Sequence, residues 1–164
     1  MAIQISENGR LFTLHTKNSS YQMFADPFGT LLHLYYGKRT DGENLSDLIF
    51  RTDMGFSGNP PEAGSDRTYS LDYLPQELPS SGVGDYRDDC VRIRHADGSC
   101  AARFLFDSFQ VSKGSYSLPG MLALYDTDGE KGETLTITLR EACSDVQVQL
   151  LYGVFEQADI ITRA

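Results

Sequence analysis

The sequence predicts an all-β fold, an antiparallel sandwich of short strands, from two features. Apolar and polar residues alternate in the carboxy-terminal part, where threonines separate Leu135, Ile137 and Leu139. A period of two residues places one set of side chains on the buried face of a strand and the other on the exposed face. Turn signals such as Asn8-Gly9 and Asp97-Gly98 recur between such runs at spacings of about 8 to 12 residues, which is typical of sandwiches.

The predicted strands follow one another along the chain, and turn residues separate nearly all of them. They span residues 3–5, 10–16, 21–25, 30–36, 90–95, 101–111, 121–125, 134–139, 146–150 and 152–161. Residues 142–145 are small or polar and connect two alternating runs, so they predict an antiparallel hairpin.

Two segments depart from this pattern. Residues 43–50 predict a helix of one or two turns, because Asn44 or Ser46 could cap it. Residues 51–89 are rich in glycine and proline and predict a long irregular excursion. A loop of this length is uncommon in a compact domain and is usually functional or packed on another element. We therefore look for a site there first.

Composition limits the classes of function. The 164 residues fit one domain, and the net charge of −9 disfavours binding to nucleic acid or to an anionic membrane. No apolar run reaches the roughly 18 to 20 residues that a bilayer span requires, and the amino terminus lacks the pattern of a signal peptide. We expect a cytoplasmic protein without a nucleic-acid or membrane partner.

The cysteines predict free thiols. Cys90, Cys100 and Cys143 are odd in number and form no CxxC pair. Buried, unpaired thiols are the expectation. A two-residue turn at Asp97-Gly98 would place Cys100 opposite His95, which argues against a disulfide between Cys90 and Cys100.

The polar clusters predict no catalytic residue, metal site or cofactor. Glycosidase carboxylates lie about 5 to 9 Å apart on separate elements, whereas residues 85–89 are contiguous. We interpret Asp85 and Arg87 as a structural bracket. Residues 126–130 resemble part of a calcium loop but lack its helices and closing glutamate, which indicates a solvated turn. The three histidines are not spaced along the sequence as the ligands of a metal site are.

Four tyrosines leave a sugar-binding surface open as an alternative. Tyr35, Tyr36, Tyr69 and Tyr73 could stack on a sugar, although the chain has no tryptophan. Aromatic residues in sheets more often pack across strands.

Several motifs run along the chain in a fixed order. They are FGTLLHLYYGK at 28–38, DRTYSLD at 66–72, LPQE at 74–77 and GDYR at 84–87, with further matches at 118–120 and 152–163. The three central motifs are similar to DRTFSLD, LPQE and GDFR of the amino-terminal domain of glycoside hydrolase family 36. The resemblance covers essentially the whole chain.

This resemblance implies a β-supersandwich of the galactose-mutarotase-like type, followed by a (β/α)8 barrel and a small β domain. Two barrel aspartates would hydrolyse terminal α-galactosides by double displacement with retention. Residues 1–164 would be one sandwich domain, an amino-terminal fragment without those aspartates, and we expect it to be inactive alone. The implied substrates are melibiose- and raffinose-type galactosides.

The resemblance also implies a role for Asp53. Family members often form tetramers in which this domain covers a neighbour's active site and lends it a substrate-contacting aspartate. Residues 51–60 match that segment, except that Gly58 stands where the family tends to have proline. A carboxylate can accept hydrogen bonds from sugar hydroxyls. Alternatively, Asp53 only caps a turn.

We thus expect an auxiliary domain of an α-galactosidase that shapes the active site and the oligomer contacts. Its partners would be its own barrel, the neighbouring subunits and the α-galactoside. A stand-alone carbohydrate-binding module and a purely structural assembly domain are the alternatives.

Overall fold

A computed structural model describes residues 2–56, 58–83, 87–121 and 132–164. Within these ranges, eight strands form two four-stranded sheets. The strands are β1 (Ile3–Ser6), β2 (Leu11–His15), β3 (Ser19–Ala25), β4 (Leu31–Lys38), β5 (Phe104–Lys113), β6 (Glu133–Glu141), β7 (Gln147–Phe155) and β8 (Ile160–Arg163).

Each sheet is an antiparallel meander of consecutive strands, in the orders β1-β2-β3-β4 and β5-β6-β7-β8. The β6–β7 hairpin pairs Ile137 with Leu150 and turns through residues 142–145, as its alternation predicts. The prediction of an all-β antiparallel sandwich is confirmed.

The core lies between the two sheets. One cluster of buried side chains contains Phe12, Leu14 and Met23 from the first sheet together with Ile137 and Leu139 from the second. Because both sheets contribute to one cluster, their apolar faces pack against each other.

Helical structure in the described ranges is confined to three 3-10 turns of three residues, Glu7–Gly9, Ser46–Leu48 and Pro61–Ala63. The second turn lies where a short helix is predicted, and the Asn44 carboxamide oxygen accepts a hydrogen bond from the Ser46 amide at 2.9 Å. None of these turns is long or apolar enough to cross a membrane.

The predicted strand at 90–95 is wrong. Its alternation suits a strand, but it contacts the chain at 79–81 through a single parallel bridge between Ser80 and Val91. Without a partner strand alongside, alternation alone does not form a ladder.

The predicted run at 152–161 is divided by a turn at 156–159, where Asp159 has φ 59°. Of the predicted strand at 121–125, residues 122–125 lie outside the described residues.

Residues 51–89 are irregular, as predicted. Their regular structure in the described part is limited to the Pro61–Ala63 turn and to two isolated bridges, one of which joins Gln76 to Leu32 on β4. Leu71 and Leu74 pack with Leu32 in a second buried cluster, so the excursion lies against the first sheet.

Candidate functional site around Asp53

Asp53 is held in a turn while its side chain stays accessible. Its Oδ1 accepts a hydrogen bond from the Gly55 amide at 2.8 Å, which is the turn-capping role anticipated above. Its Oδ2 lies 2.9 Å from the Arg67 Nε, and the Asp53 side chain is 46% exposed. Arg67 Nη2 also donates to Oδ1, at 3.4 Å, so the two lone pairs of Oδ1 are occupied and Oδ2 keeps one lone pair for a further donor.

The Asp53 loop comprises residues 51–59, of which 51–56 and 58–59 are described. These residues lie along a second stretch of the excursion, residues 66–73, that we call the template segment. Arg67 Nη2 donates to the Gly55 carbonyl at 3.0 Å, and Ser70 Oγ donates to the Gly58 carbonyl at 3.2 Å. The Tyr73 hydroxyl donates to the Thr52 carbonyl. The DRTYSLD motif therefore shapes the Asp53 loop.

Tyr69 anchors the template segment in the protein interior. Its hydroxyl lies 2.5 Å from Asp26 Oδ2 and 2.9 Å from Thr30 Oγ1, in the turn between β3 and β4. Burial, reinforced by the hydrogen bond to Asp26, raises the pKa of Tyr69 well above its ordinary value. The Tyr69 hydroxyl therefore remains protonated and able to donate.

Asp26 is a buried carboxyl group. Burial raises its pKa, and this effect outweighs the opposing hydrogen bonds from Tyr69 and from the Thr30 and Phe28 amides. Those two amides lie 2.8 and 2.9 Å from Asp26 Oδ1 and fix the carboxylate plane.

Glu77 fastens the excursion to both sheets. Its buried carboxylate accepts hydrogen bonds from the hydroxyls of Tyr21 on β3 and Tyr152 on β7, at 2.7 and 2.8 Å. Arg163 Nε on β8 lies 3.3 Å from Oε1, and His33 Nδ1 on β4 lies 3.6 Å from Oε2. Burial raises the pKa of Glu77, but the hydrogen bonds and the Arg163 charge together lower it below its usual value.

Large apolar side chains surround Asp53 in the sequence and face solvent. The exposed fractions are 74% for Phe50, 59% for Met54 and 103% for Phe56, and Leu48 is 67% exposed. We call these four residues the apolar ridge. Exposed large apolar side chains grouped in one segment are candidates for a contact with another protein surface.

The predicted bracket between Asp85 and Arg87 stays a prediction, because Asp85 lies outside the described residues. Arg87 Nη2 donates to the Leu74 carbonyl at 2.8 Å and so joins two parts of the excursion. The acidic turn at 126–130 also lies outside the described residues. Among the residues that are described, no group of three potential metal ligands comes together.

The expectation that the cysteines are buried is wrong. Cys90, Cys100 and Cys143 are free, but all three are exposed, since they lie in surface loops rather than in paired strands. The predicted register near Cys100 also differs. The His95 amide donates to the Ser99 carbonyl at 2.8 Å, so three residues rather than two lie within the turn.

The suggested tyrosine platform does not form as a unit. Tyr69 is completely buried and cannot stack on a sugar, whereas Tyr36 is 66% exposed. The Tyr73 hydroxyl donates to the Thr52 carbonyl, and the Tyr35 hydroxyl donates to the Lys38 carbonyl at 3.0 Å.

Sequence reasoning missed the roles of Arg67, Tyr69 and Glu77, and only their place in the motifs DRTYSLD and LPQE singles them out.

Comparisons with known proteins identify the family of this chain. The profile described as the glycosyl hydrolase family 36 N-terminal domain matches residues 29–164. The bifunctional α-galactosidase/sucrose kinase AgaSK of Mediterraneibacter gnavus is 48% identical over 164 residues, which are 100% of this chain and 17% of that protein.

Two solved structures have the same fold. The galactosidase domain of AgaSK superposes with a TM-score of 0.92 at 48% identity, covering 99% of this chain and 22% of that one. The α-galactosidase AgaA of Geobacillus stearothermophilus, solved as the A355E D548N variant with raffinose, has a TM-score of 0.86 at 34% identity, covering 94% and 21%.

The chain thus spans about a fifth of the length of the relatives that it matches. The family profile nevertheless matches most of the chain, from Gly29 to Ala164, and includes the template segment, the Asp53 loop and Glu77. The chain belongs to the glycosyl hydrolase family 36 N-terminal domain family.

Proposed function

We propose that this chain is the auxiliary amino-terminal domain of a retaining α-galactosidase acting on terminal α-galactosides of the melibiose and raffinose type. The proposal rests on sequence similarity. Essentially the whole chain aligns with about a fifth of the length of each of two proteins, one named as a bifunctional α-galactosidase/sucrose kinase and the other as an α-galactosidase. The catalytic barrel would lie in the remaining length, and the isolated chain would be inactive. Hydrolysis of an aryl α-galactoside by the purified chain, free of host enzyme, would overturn this part.

We further propose that Asp53 accepts a hydrogen bond from the galactoside in a neighbouring subunit's active site. The geometry supports this role because Asp53 is both accessible and preorganised by Gly55 and Arg67. Capping the turn and binding a sugar are compatible functions, since each uses different lone pairs of the same carboxylate.

The apolar ridge supports a docking role for the same region. Phe50, Met54 and Phe56 flank Asp53 and expose most of their side chains. Burying them against the barrel of a neighbouring subunit would both stabilise the assembly and deliver Asp53 to the substrate. A hydrophobic contact next to a polar, water-accessible group is the usual layout of a protein interface.

The experiment replaces Asp53 with Ala in the full-length enzyme. Losing a hydrogen bond to a charged group costs about 1.5 to 3 kcal/mol, so we expect the KM for raffinose to rise about 10- to 100-fold with assembly intact. Asp97→Ala is the matched control, because Asp97 is also exposed and caps a turn through the Ser99 amide at 2.9 Å. Unchanged kinetics for Asp53→Ala with intact assembly would favour a purely structural domain.

Calorimetry distinguishes an auxiliary domain from a stand-alone carbohydrate-binding module. An auxiliary domain is expected to bind galactose or melibiose weakly without the barrel. Heat of binding saturating at low millimolar sugar would favour the module instead.

The free thiols of the three exposed cysteines are typical of a reducing compartment and support a cytoplasmic location.

A further inference from the structure

Both ends of the Asp53 loop are fastened to one buried residue. At the start of the loop, the Arg51 guanidinium lies over the Tyr69 ring, with Cζ 5.7 Å from the ring centroid. At the end, Asn59 Nδ2 donates to the Tyr69 carbonyl at 2.6 Å. Asp53 lies between these two attachments.

Tyr69 is itself immobilised. The side chain has no exposed surface, and the Phe28 ring meets it edge-on at a centroid distance of 4.6 Å. Its hydroxyl is fixed by Asp26, whose other carboxylate oxygen is bonded to the Thr30 amide. The chain of contacts therefore runs from the rigid β3–β4 turn, through Tyr69, to the exposed loop.

We propose that Tyr69 is a positioning residue that sets where the Asp53 carboxylate lies. This inference rests on the proposed role of Asp53. Tyr69 is fully buried and does not touch the substrate; it acts through the two ends of the loop. A recognition group must be held to within about 0.5 Å of its productive position, so releasing its support weakens binding even when the group itself is intact.

The test uses Tyr69→Phe, which removes the hydroxyl contacts with Asp26 and Thr30 and keeps both the ring under Arg51 and the main-chain carbonyl that Asn59 contacts. Phenylalanine is the residue at this place in the similar motif DRTFSLD, so the variant isolates what the hydroxyl adds in this chain. Tyr152→Phe is the matched control, because it removes a buried tyrosine hydroxyl from another carboxylate, that of Glu77, at 2.8 Å. Both variants lose a comparable bond, but only Tyr69 contacts the Asp53 loop.

The first measurement is hydrogen exchange of the peptide containing the Asp53 loop in the full-length enzyme. We expect exchange roughly fivefold faster in Tyr69→Phe and unchanged in Tyr152→Phe. Equal exchange in the parent and in Tyr69→Phe would overturn the proposal, whatever the role of Asp53.

The second measurement is a double-mutant cycle on the KM for raffinose. We expect Tyr69→Phe to raise KM roughly threefold or more in the parent and to have no further effect in the Asp53→Ala background, because residues that act through one another are not additive. An equal increase in both backgrounds would show that Tyr69 acts elsewhere.

The two measurements keep the two proposals separate. If Asp53→Ala leaves KM unchanged, the proposed substrate contact fails. Faster exchange of the Asp53 loop in Tyr69→Phe would then still support Tyr69 as the residue that positions this loop.

Discussion

One guanidinium holds both the carboxylate of Asp53 and the turn that it caps. Arg67 Nε lies 2.9 Å from Asp53 Oδ2, and Arg67 Nη2 donates to the Gly55 carbonyl at 3.0 Å. Because the guanidinium is planar and its donors are fixed relative to one another, these contacts set the orientation of the carboxylate as well as its position.

Replacing Arg67 with Lys tests this orientation. A lysine ammonium keeps the charge but cannot span Asp53 and Gly55 in the same plane. We expect the KM for raffinose in the full-length enzyme to rise several-fold, less than in Asp53→Ala. The stability of the chain should change by less than about 1 kcal/mol, because the pair is exposed to solvent.

Steady-state kinetics and thermal unfolding of Arg67→Lys check the two expectations. Arg92→Lys is the control, since the Arg92 side chain is also largely exposed and pairs with Asp89 at 2.9 Å. A loss of stability in Arg67→Lys without any change in KM would assign the pair a structural role.

Glu77→Gln should destabilise the fold far more than a surface substitution does. The Glu77 side chain is 2% exposed, and its loss of charge removes the ionic partner of Arg163, which keeps its hydrogen bond to the Glu77 carbonyl at 2.7 Å. Because the Arg163 side chain is 39% exposed, we expect a smaller cost than for a fully buried ion pair, about 1 to 3 kcal/mol. Urea unfolding of the chain measures this cost, and Glu62→Gln is the control because the Glu62–Arg103 pair has a 50% exposed carboxylate. Equal costs in the two variants would refute the role of Glu77.

Acid should unfold the chain partly through Glu77. The folded state lowers the pKa of Glu77 from its ordinary value of 4.5, so Glu77 contributes stability above that pH and the contribution is lost as the pH falls through the lower, folded-state pKa. Asp26 acts in the opposite sense. Its raised pKa makes its contribution greatest at low pH and lost as the pH rises through the folded-state value.

The urea midpoint, measured from about pH 6 to about pH 3, separates these contributions. We expect Glu77→Gln to flatten the decline of stability with acid, and Asp26→Asn to steepen it. Parallel curves for the parent and for Glu77→Gln would show that Glu77 does not titrate differently in the folded and unfolded states.

Phe56→Ser should weaken assembly and leave folding unchanged. Phe56 is 103% exposed, so it has no packing to lose within the chain. Sedimentation of the full-length enzyme should show dissociation at higher protein concentration than in the parent, with the same unfolding temperature for the chain. Met121→Ser is the control, since Met121 is 69% exposed outside the ridge. Equal assembly of Phe56→Ser and the parent would exclude the ridge as a docking surface.

Local pattern predicts the strands whose partners are also neighbours in sequence. Residues 134–139 and 146–150 alternate and are joined by a short turn, and they form β6 and part of β7. Residues 90–95 alternate as clearly but have no strand beside them. The difference lies in tertiary contacts that alternation does not encode.

The same limit applies to the site. The Asp53 turn has a local signal, because an aspartate two residues before a glycine favours this hydrogen bond. The Arg67 partner is 14 residues away, and the Asp26 partner of Tyr69 is 43 residues away. Tyr69 and Tyr36 are the same residue type, yet one is buried and the other is exposed. Only the fold distinguishes an anchor from a surface aromatic.

The central claim is that this domain supplies Asp53 to a galactoside bound in a neighbouring active site. A structure of the full-length enzyme, inactivated in its barrel and soaked with raffinose, tests it most directly. We expect an Asp53 carboxylate oxygen within about 3.2 Å of a galactose hydroxyl across a subunit boundary. An Asp53 side chain facing solvent, with no sugar atom in reach while the active site is occupied, would contradict it.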